Sequence, residues 1–414
     1  MRVKLHSRRA GLLGLCVAVV TSLNSTIALA ETRATAPTAS AEEAPIKHWR
    51  MPEIERRFMD ISELETPYIS RSPENRGDGI PVGSLTGKDG KAIAALALEL
   101  STGERGAYDS LLIAKNNTLL FESYFKRGRV DLSHPQSSAT KSYTSLALGR
   151  AIQLGYLTMA DLDKPVISFL DNIDRANLVS GAEKVTLFNA LTMTTGIEIE
   201  EEVWDTLRED TQRVNGQGEI QAILEESAPI TDESQVFNYG TGPQFVMQVI
   251  DAVVPGGARA FVTKEVFGKL GITNYGWRTA PSGLPVSGSG VSVTSRDMLK
   301  MGMLVINDGV WQGEQLISKA YLDKATSRQI FTGDDDIYGG GDLVSKQGYG
   351  FFWWGTELRY GDKQYYTFSA QGGGGMYIMV IKDLDLIVVV TAHERNDITQ
   401  QITAERIVPV FASH

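Results

Sequence analysis

The stretch HPQSSATKSYTSLALGRAIQLGYL, residues 134–157, governs how the rest of the chain is read. It sets Ser138 and Lys141 three positions apart, just ahead of an apolar period in which Tyr143, Leu146, Ala147, Ala151 and Leu154 fall on one helical face. The spacing predicts a helix over 143–154 with Gly155 as its stop. At the head of such a helix, residues i and i+3 share a face with Cβ atoms about 5–6 Å apart, so this hydroxyl and this amine can meet. The same S-x-x-K spacing occurs in SYFK, residues 123–126. That stretch reads as an alternating strand, where i and i+3 point to opposite faces. A serine hydroxyl is a poor nucleophile until a base takes its proton, and lysine becomes that base where burial or neighbouring positive charge lowers its pKa. The unpaired N–H groups of a helix start, Ser138's among them, can face a developing oxyanion. On this motif alone, a capping Ser138 beside a solvated Lys141 is an equal alternative.

Working outward, DSLLIAKNNTLLFESYF (109–125) gives two apolar runs around Lys115, Asn116 and Asn117, a hairpin signal. Helical stretches continue to about residue 280, separated by turns such as TMTTGIE and VVPGGARA, and another helix follows SGSGVSVTSRDML. The pattern then returns to strands in YGFFWWGTEL, KQYYTFSA, GMYIMVI and LDLIVVVTA, and the tail from Asp397 reads as helical. Strands at both ends with helices between predict an α+β domain: a sheet part over about 48–135 and 300–414, and a helical part over about 136–299.

The N-terminus has the make-up of a secretory signal peptide over 1–30, with basic MRVKLHSRR, apolar AGLLGLCVAVV and ALA at the cleavage site. The apolar run is too short to span a membrane and is broken by Ser22, Asn24 and Ser25. Export to the periplasm with no stable membrane anchor after cleavage is the expectation, and Arg8-Arg9 hints weakly at the twin-arginine route. Residues 31–47, rich in Ala, Thr, Pro and Glu, read as a flexible leader, with folded sequence from about Trp49 and one domain over 48–414. Removing residues 1–30 takes away four of 40 Lys+Arg and none of 50 Asp+Glu, leaving 36 against 50, a formal charge of −14. That balance disfavours nucleic acid as a partner. The single cysteine, Cys16, lies in the apolar run, so disulfides and thiolate chemistry are excluded from the mature chain. None of the five histidines has zinc-ligand spacing, so no metal is expected, and no G-x-S-x-G elbow supports a triad on His393. His393 reads as a strand-end residue, His134 as pocket rim, and GDDDIYGGGD (333–342) as a solvated loop lacking calcium-ligand spacing. Trp204, Trp353 and Trp354 are core residues by preference and pocket candidates otherwise.

Two further stretches bear on Ser138. Tyr239 precedes a helical run in FNYGTGPQFVMQVID, with Thr241 two residues on. Gly372 to Gly375 open an apolar strand in FSAQGGGGMYIMVI, where glycines allow close backbone approach and supply unencumbered N–H donors. With SSATKSYTSLALGRAIQLGYLTMADL, VTLFNALTMTTGI, SGSGVSVTSRDMLKMG and GVWQGEQLIS, they make residues 108–395 resemble the serine β-lactamase and penicillin-binding-protein superfamily. The chain is similar to the class C-like branch with its esterases and 6-aminohexanoate-dimer-hydrolase-like enzymes. The resemblance implies an antiparallel sheet flanked by helices with a mainly helical insertion, and no cofactor. It makes Ser138 the nucleophile, Lys141 its base and Tyr239 the phenol of the Y-x-N element, with the N–H groups of Ser138 and Gly373 as oxyanion hole. Thr241, Gln371, Gly372 and Trp204 become candidate substrate contacts. Two departures stand out: Thr241 replaces the usual Asn, and Ala370-Gln371-Gly372 replaces K-T-G or H-x-G, removing a cation that would grip a substrate carboxylate. The expectation is an exported serine hydrolase acting on small esters or amides. A class C-like β-lactamase or D-alanyl-D-alanine carboxypeptidase is the alternative, and a catalytically silent binding or sensor protein is the alternative of another class.

Overall fold

The computed structural model describes residues 32–48, 55–334 and 336–412. The signal-peptide reading of 1–30 and the start near Trp49 lie outside the described residues. Strand β1 (Tyr68–Ser70) and helix α1 (Gly87–Thr102) lead into β2 (Tyr108–Lys115) and β3 (Thr118–Tyr124). The predicted hairpin forms through Asn116 and Asn117, both with positive φ (48° and 56°), the left-handed pair a tight two-residue turn requires. After β4 (His134–Pro135), the helical part runs through α2 (Thr140–Gln153), α3 (Leu187–Thr192), α4 (Glu201–Glu209), α5 (Gly218–Glu226), α6 (Gly242–Val253) and α7 (Gly257–Phe261). Short strands β5 (Tyr275–Trp277) and β6 (Val291–Val293), helix α8 (Ser295–Ile306), the ribbon β7 (Val310–Trp311) with β8 (Glu314–Gln315), and α9 (Lys319–Ala325) return the chain to the sheet. That sheet is completed by β9 (Ile330–Gly333), β10 (Val344–Tyr349), β11 (Trp354–Tyr360), β12 (Lys363–Gly372), β13 (Met376–Ile381) and β14 (Leu386–Ala392), before α10 (Thr399–Ile402) and α11 (Val408–Ala412).

The nine-stranded order is β1-β3-β2-β14-β13-β12-β11-β10-β9, antiparallel throughout. Period-two alternation feeds two cores. Ile378, Val380, Ile387 and Val389 face α2 and α8, while Met379, Ile381, Val388 and Val390 face α1 and the C-terminal helices. The run YGFFWWGTEL is two strands rather than one. Phe352 adopts φ +63°, its carbonyl accepts from Ser142 Oγ at 2.6 Å, and Trp353 turns into the core.

The segment expected to be a loose leader is docked. Val130 N donates to the Pro37 carbonyl at 2.9 Å, and Ala39 N to Asp131 Oδ1 at 2.7 Å. Ile46 is fully buried with Phe58, Ile61 and Leu132. Glu43 meets buried Arg129 at 3.2 Å. Single anchoring residues hold this segment, which is why it shows no apolar period.

Candidate active site

The small sheet β4-β6-β5 prepares the site. Gln136, fully buried, donates through N to the Val291 carbonyl (2.8 Å) and through Nε2 to the His134 carbonyl (2.9 Å), and its Oε1 accepts from Tyr143 Oη (3.2 Å). Held there, the chain turns sharply: Ser137 takes φ +47°, and a single 3-10 turn over Ser137–Ala139 runs into α2. A non-glycine residue in that region costs of the order of 1–3 kcal/mol, and such strain gathers where surrounding structure fixes a reactive group.

The helix predicted over 143–154 begins slightly earlier, and its first turn brings Lys141 Nζ within 3.0 Å of Ser138 Oγ. Ser123, in the second match, is buried and bonds instead to the Leu111 carbonyl at 2.9 Å, as strand geometry requires. Lys141 is 7% exposed, and burial pulls its pKa from 10.5 down to about 8. Its other partner is the Gly288 carbonyl at 2.9 Å, in a loop tied to α2 by Thr144 Oγ1 donating to the Ser287 carbonyl (2.8 Å). A carbonyl can only accept, so it takes one N–H of the amine and leaves the neutral amine's lone pair for the Ser138 hydroxyl. No side-chain pattern announces this contact.

Tyr239 completes the group from the loop before α6. Lys141 Nζ stands 4.5 Å from its ring centroid, and the ring stacks on Trp354 at 5.5 Å. Although 39% of Tyr239 is exposed, its ring also packs edge-on against buried Tyr349 at 5.9 Å. Burial pushes the phenol's pKa up, partly offset by the neighbouring Ser138 hydroxyl. Thr241 stands at the head of α6; the acceptor beside Lys141 is the Gly288 carbonyl.

Gly372 ends β12 against the Ser138 turn, where a Cβ would lie 2.2 Å from the Gln136 carbonyl oxygen. Only glycine permits that approach. The hairpin then turns through Gly374 and Gly375, both at positive φ, and Tyr338 Oη accepts from both their N–H groups, at 3.0 and 3.1 Å. Among the described residues the Gly373 N–H has no hydrogen-bond partner, and a Cβ on Gly373 would sit 3.6 Å from Ser137 Oγ. Tyr338 belongs to the acidic stretch read as a solvated loop. Its role rests on a contact 36 residues away that composition does not reveal.

Other candidates are sorted by strand and helix geometry. Gln371 lies between Ala370 and Gly372 on β12, so its side chain turns to the opposite face, where its amide donates to Ser369 Oγ at 2.8 Å. It does not join Ser138. Trp353 is core, 1% exposed, whereas Trp354 borders the site. Trp204, with Tyr239 and Thr241, lines a cavity of about 1000 Å³. The same lining carries Glu198, Glu200, Glu201, Glu219 and Glu226 against one cation, Arg208, which is tied to Glu201 and Asp205. His134 is not pocket rim. It is buried against Asp109, with which His393 is also bonded. Among the described residues no cluster of His, Cys, Asp and Glu is arranged to hold a metal.

A family model described as Beta-lactamase matches residues 94–408. Among solved structures, the fold is similar to a D-stereospecific amidohydrolase from Streptomyces (16% identity, TM-score 0.54, 76% of this chain and 98% of that one). It is similar to a class C β-lactamase (15%, 0.54, 79% and 96%). It is also similar to EstCE1, a hydrolase with promiscuous acyltransferase activity (15%, 0.56, 76% and 97%). A sequence comparison with curated proteins finds no match.

Proposed function

Since the chain belongs to the β-lactamase family of serine hydrolases, we propose that it cleaves small esters or amides through an acyl-enzyme on Ser138, and that it does so after export. The observation that carries the reading is the 3.0 Å contact between Ser138 Oγ and a buried Lys141 whose burial favours the neutral amine. As Oγ attacks the carbonyl, its proton passes to Lys141 Nζ, and the N–H groups of Ser138 and Gly373 receive the oxyanion. Collapse of the tetrahedral species breaks the bond to the leaving group, which takes a proton from Tyr239. Lys141 passes the proton it took from Ser138 to the resulting phenolate, and water then releases the acyl group.

Substrate choice follows from charge. Ala370 is fully buried and offers no cation, Arg296 is committed to Glu122 and Asp78, and Arg328 to Glu357. A charge-assisted hydrogen bond to a carboxylate is worth about 1.5–3 kcal/mol, so its loss costs β-lactams roughly tenfold to a hundredfold in affinity. Glutamates along the cavity disfavour anionic substrates further. Neutral esters and small amides lose nothing. The test is intact-protein mass spectrometry after a fluorophosphonate and, separately, a penicillin, with kcat/KM compared for a nitrophenyl ester and a chromogenic cephalosporin. Labelling that disappears in Ser138→Ala, with the ester preferred, is expected. Undiminished labelling of Ser138→Ala ends the acyl-enzyme reading, and a preference for the cephalosporin replaces the esterase reading with a β-lactamase one.

A further inference from the structure

Asp109, in β2, is fully buried, outside the reacting group, and bonded on three sides. Its Oδ2 accepts from His134 Nε2 at 3.1 Å and from His393 Nδ1 at 2.9 Å, while Oδ1 accepts from Arg127 N at 2.9 Å. Arg127 Nη1 lies 2.7 Å from His393 Nε2. A guanidinium only donates, so Nε2 accepts and Nδ1 carries the proton given to Asp109.

The two histidines lead to different halves of the site. His134 begins the run to Ser138: its carbonyl accepts from Gln136 Nε2, and the Gln136 carbonyl accepts from Ala139 N at 3.1 Å. His393 precedes Glu394, whose N donates to the Gly374 carbonyl at 2.9 Å. Glu394 Oε2 also accepts from Ala107 N at 3.1 Å, fixing that arm to the start of β2. The Ser138 turn and the Gly373 loop are thus 235 residues apart in sequence yet referred to one carboxylate.

We propose that Asp109 is a positioning residue which, through His134 and His393, sets the spacing between the N–H groups of Ser138 and Gly373. The inference rests on the oxyanion reading given above. A buried carboxylate shared by two imidazoles resists displacement of either ring, because moving one leaves a buried charge short of a donor. Displacement of an oxyanion donor weakens the transition state while leaving ground-state binding nearly untouched.

The experiment compares the full chain with Asp109→Asn and with His393→Asn, which leaves the Asp109 to His134 bond in place should the first variant fold poorly. Active sites are counted by fluorophosphonate titration, and Ser138→Ala is carried in parallel. The expected result is a fall in kcat of about tenfold to a hundredfold per titrated site with KM within twofold. Affinity for an arylboronic acid, which forms a tetrahedral anion on serine, should fall in parallel. His134→Asn with His393→Asn should cost no more than Asp109→Asn alone. Unchanged kcat and boronate affinity per titrated site, or loss confined to the number of folded sites, overturns the proposal. If Ser138→Ala keeps its labelling, it is the acyl-enzyme reading that fails.

Discussion

At the residue scale, the proposed acyl-enzyme route requires Lys141 to be neutral at the start of the cycle and protonated for part of it. Its environment permits both. The amine is buried enough to sit at about 8, while the Gly288 carbonyl and the Tyr239 ring still stabilise the ammonium formed once Ser138 gives up its proton. Below about pH 8 the ammonium cannot accept a proton, so kcat/KM for an ester is expected to rise about tenfold per pH unit and level off above it. The linkage has the same sign. The unfolded chain holds this proton up to 10.5, so folded-state stability also rises with pH between about 8 and 10.5. A pH–rate profile flat from 6 to 10 would remove Lys141 as base. Tyr239→Phe is expected to lower acylation by orders of magnitude, with its phenyl ring retaining the stacking on Trp354, which separates proton transfer from packing. Ser138 and Lys141 were legible because helical periodicity fixes their geometry locally. The Gly288 carbonyl was not, since every residue carries a carbonyl and only the tertiary fold decides which one arrives.

At the scale of elements, the glycine run is ambiguous in sequence because four identical residues have no register. Packing removes the ambiguity from both ends. Gly372 is fixed by its abutment on the Gln136 carbonyl, and Gly374 and Gly375 by their bonds to Tyr338, so the intervening N–H is that of Gly373. The alternation of β12 that turns Gln371 away follows from the same register. Tyr338→Phe deletes the acceptor of the Gly374 N–H and one of the two acceptors of the Gly375 N–H, which keeps the Gly372 carbonyl, and it retains the ring's stacking on Tyr377, at 6.0 Å and 9°. Its expected effect is a roughly tenfold lower kcat with KM little changed. Equal losses in kcat/KM and in unfolding midpoint would instead make Tyr338 a general stabiliser of the hairpin.

For the molecule as a whole, strand periodicity discloses the sheet and helical periodicity the insertion, whereas the docking of the polar N-terminal segment leaves no periodic trace in the sequence. Residues 32–48 contribute few apolar side chains, so composition suggested a free leader. Their binding instead rests on discrete contacts that composition cannot register. Ile46 fills a small core with Phe58, Ile61 and Leu132, and Glu43 balances Arg129, each of the two 7% exposed. Arg129 also donates to the carbonyls of Lys126 and Ser62, so its charge stays buried if Glu43 is removed. An uncompensated buried charge costs about 3 kcal/mol or more. Ile46→Ala removes packing worth about 2–4 kcal/mol. Urea unfolding of Glu43→Ala and Ile46→Ala is therefore expected to show midpoints lowered by amounts of that size with unchanged slope. A free leader predicts no shift for either variant. Midpoints indistinguishable from that of the parent chain would mean that residues 32–48 contribute nothing to the stability of the hydrolase fold.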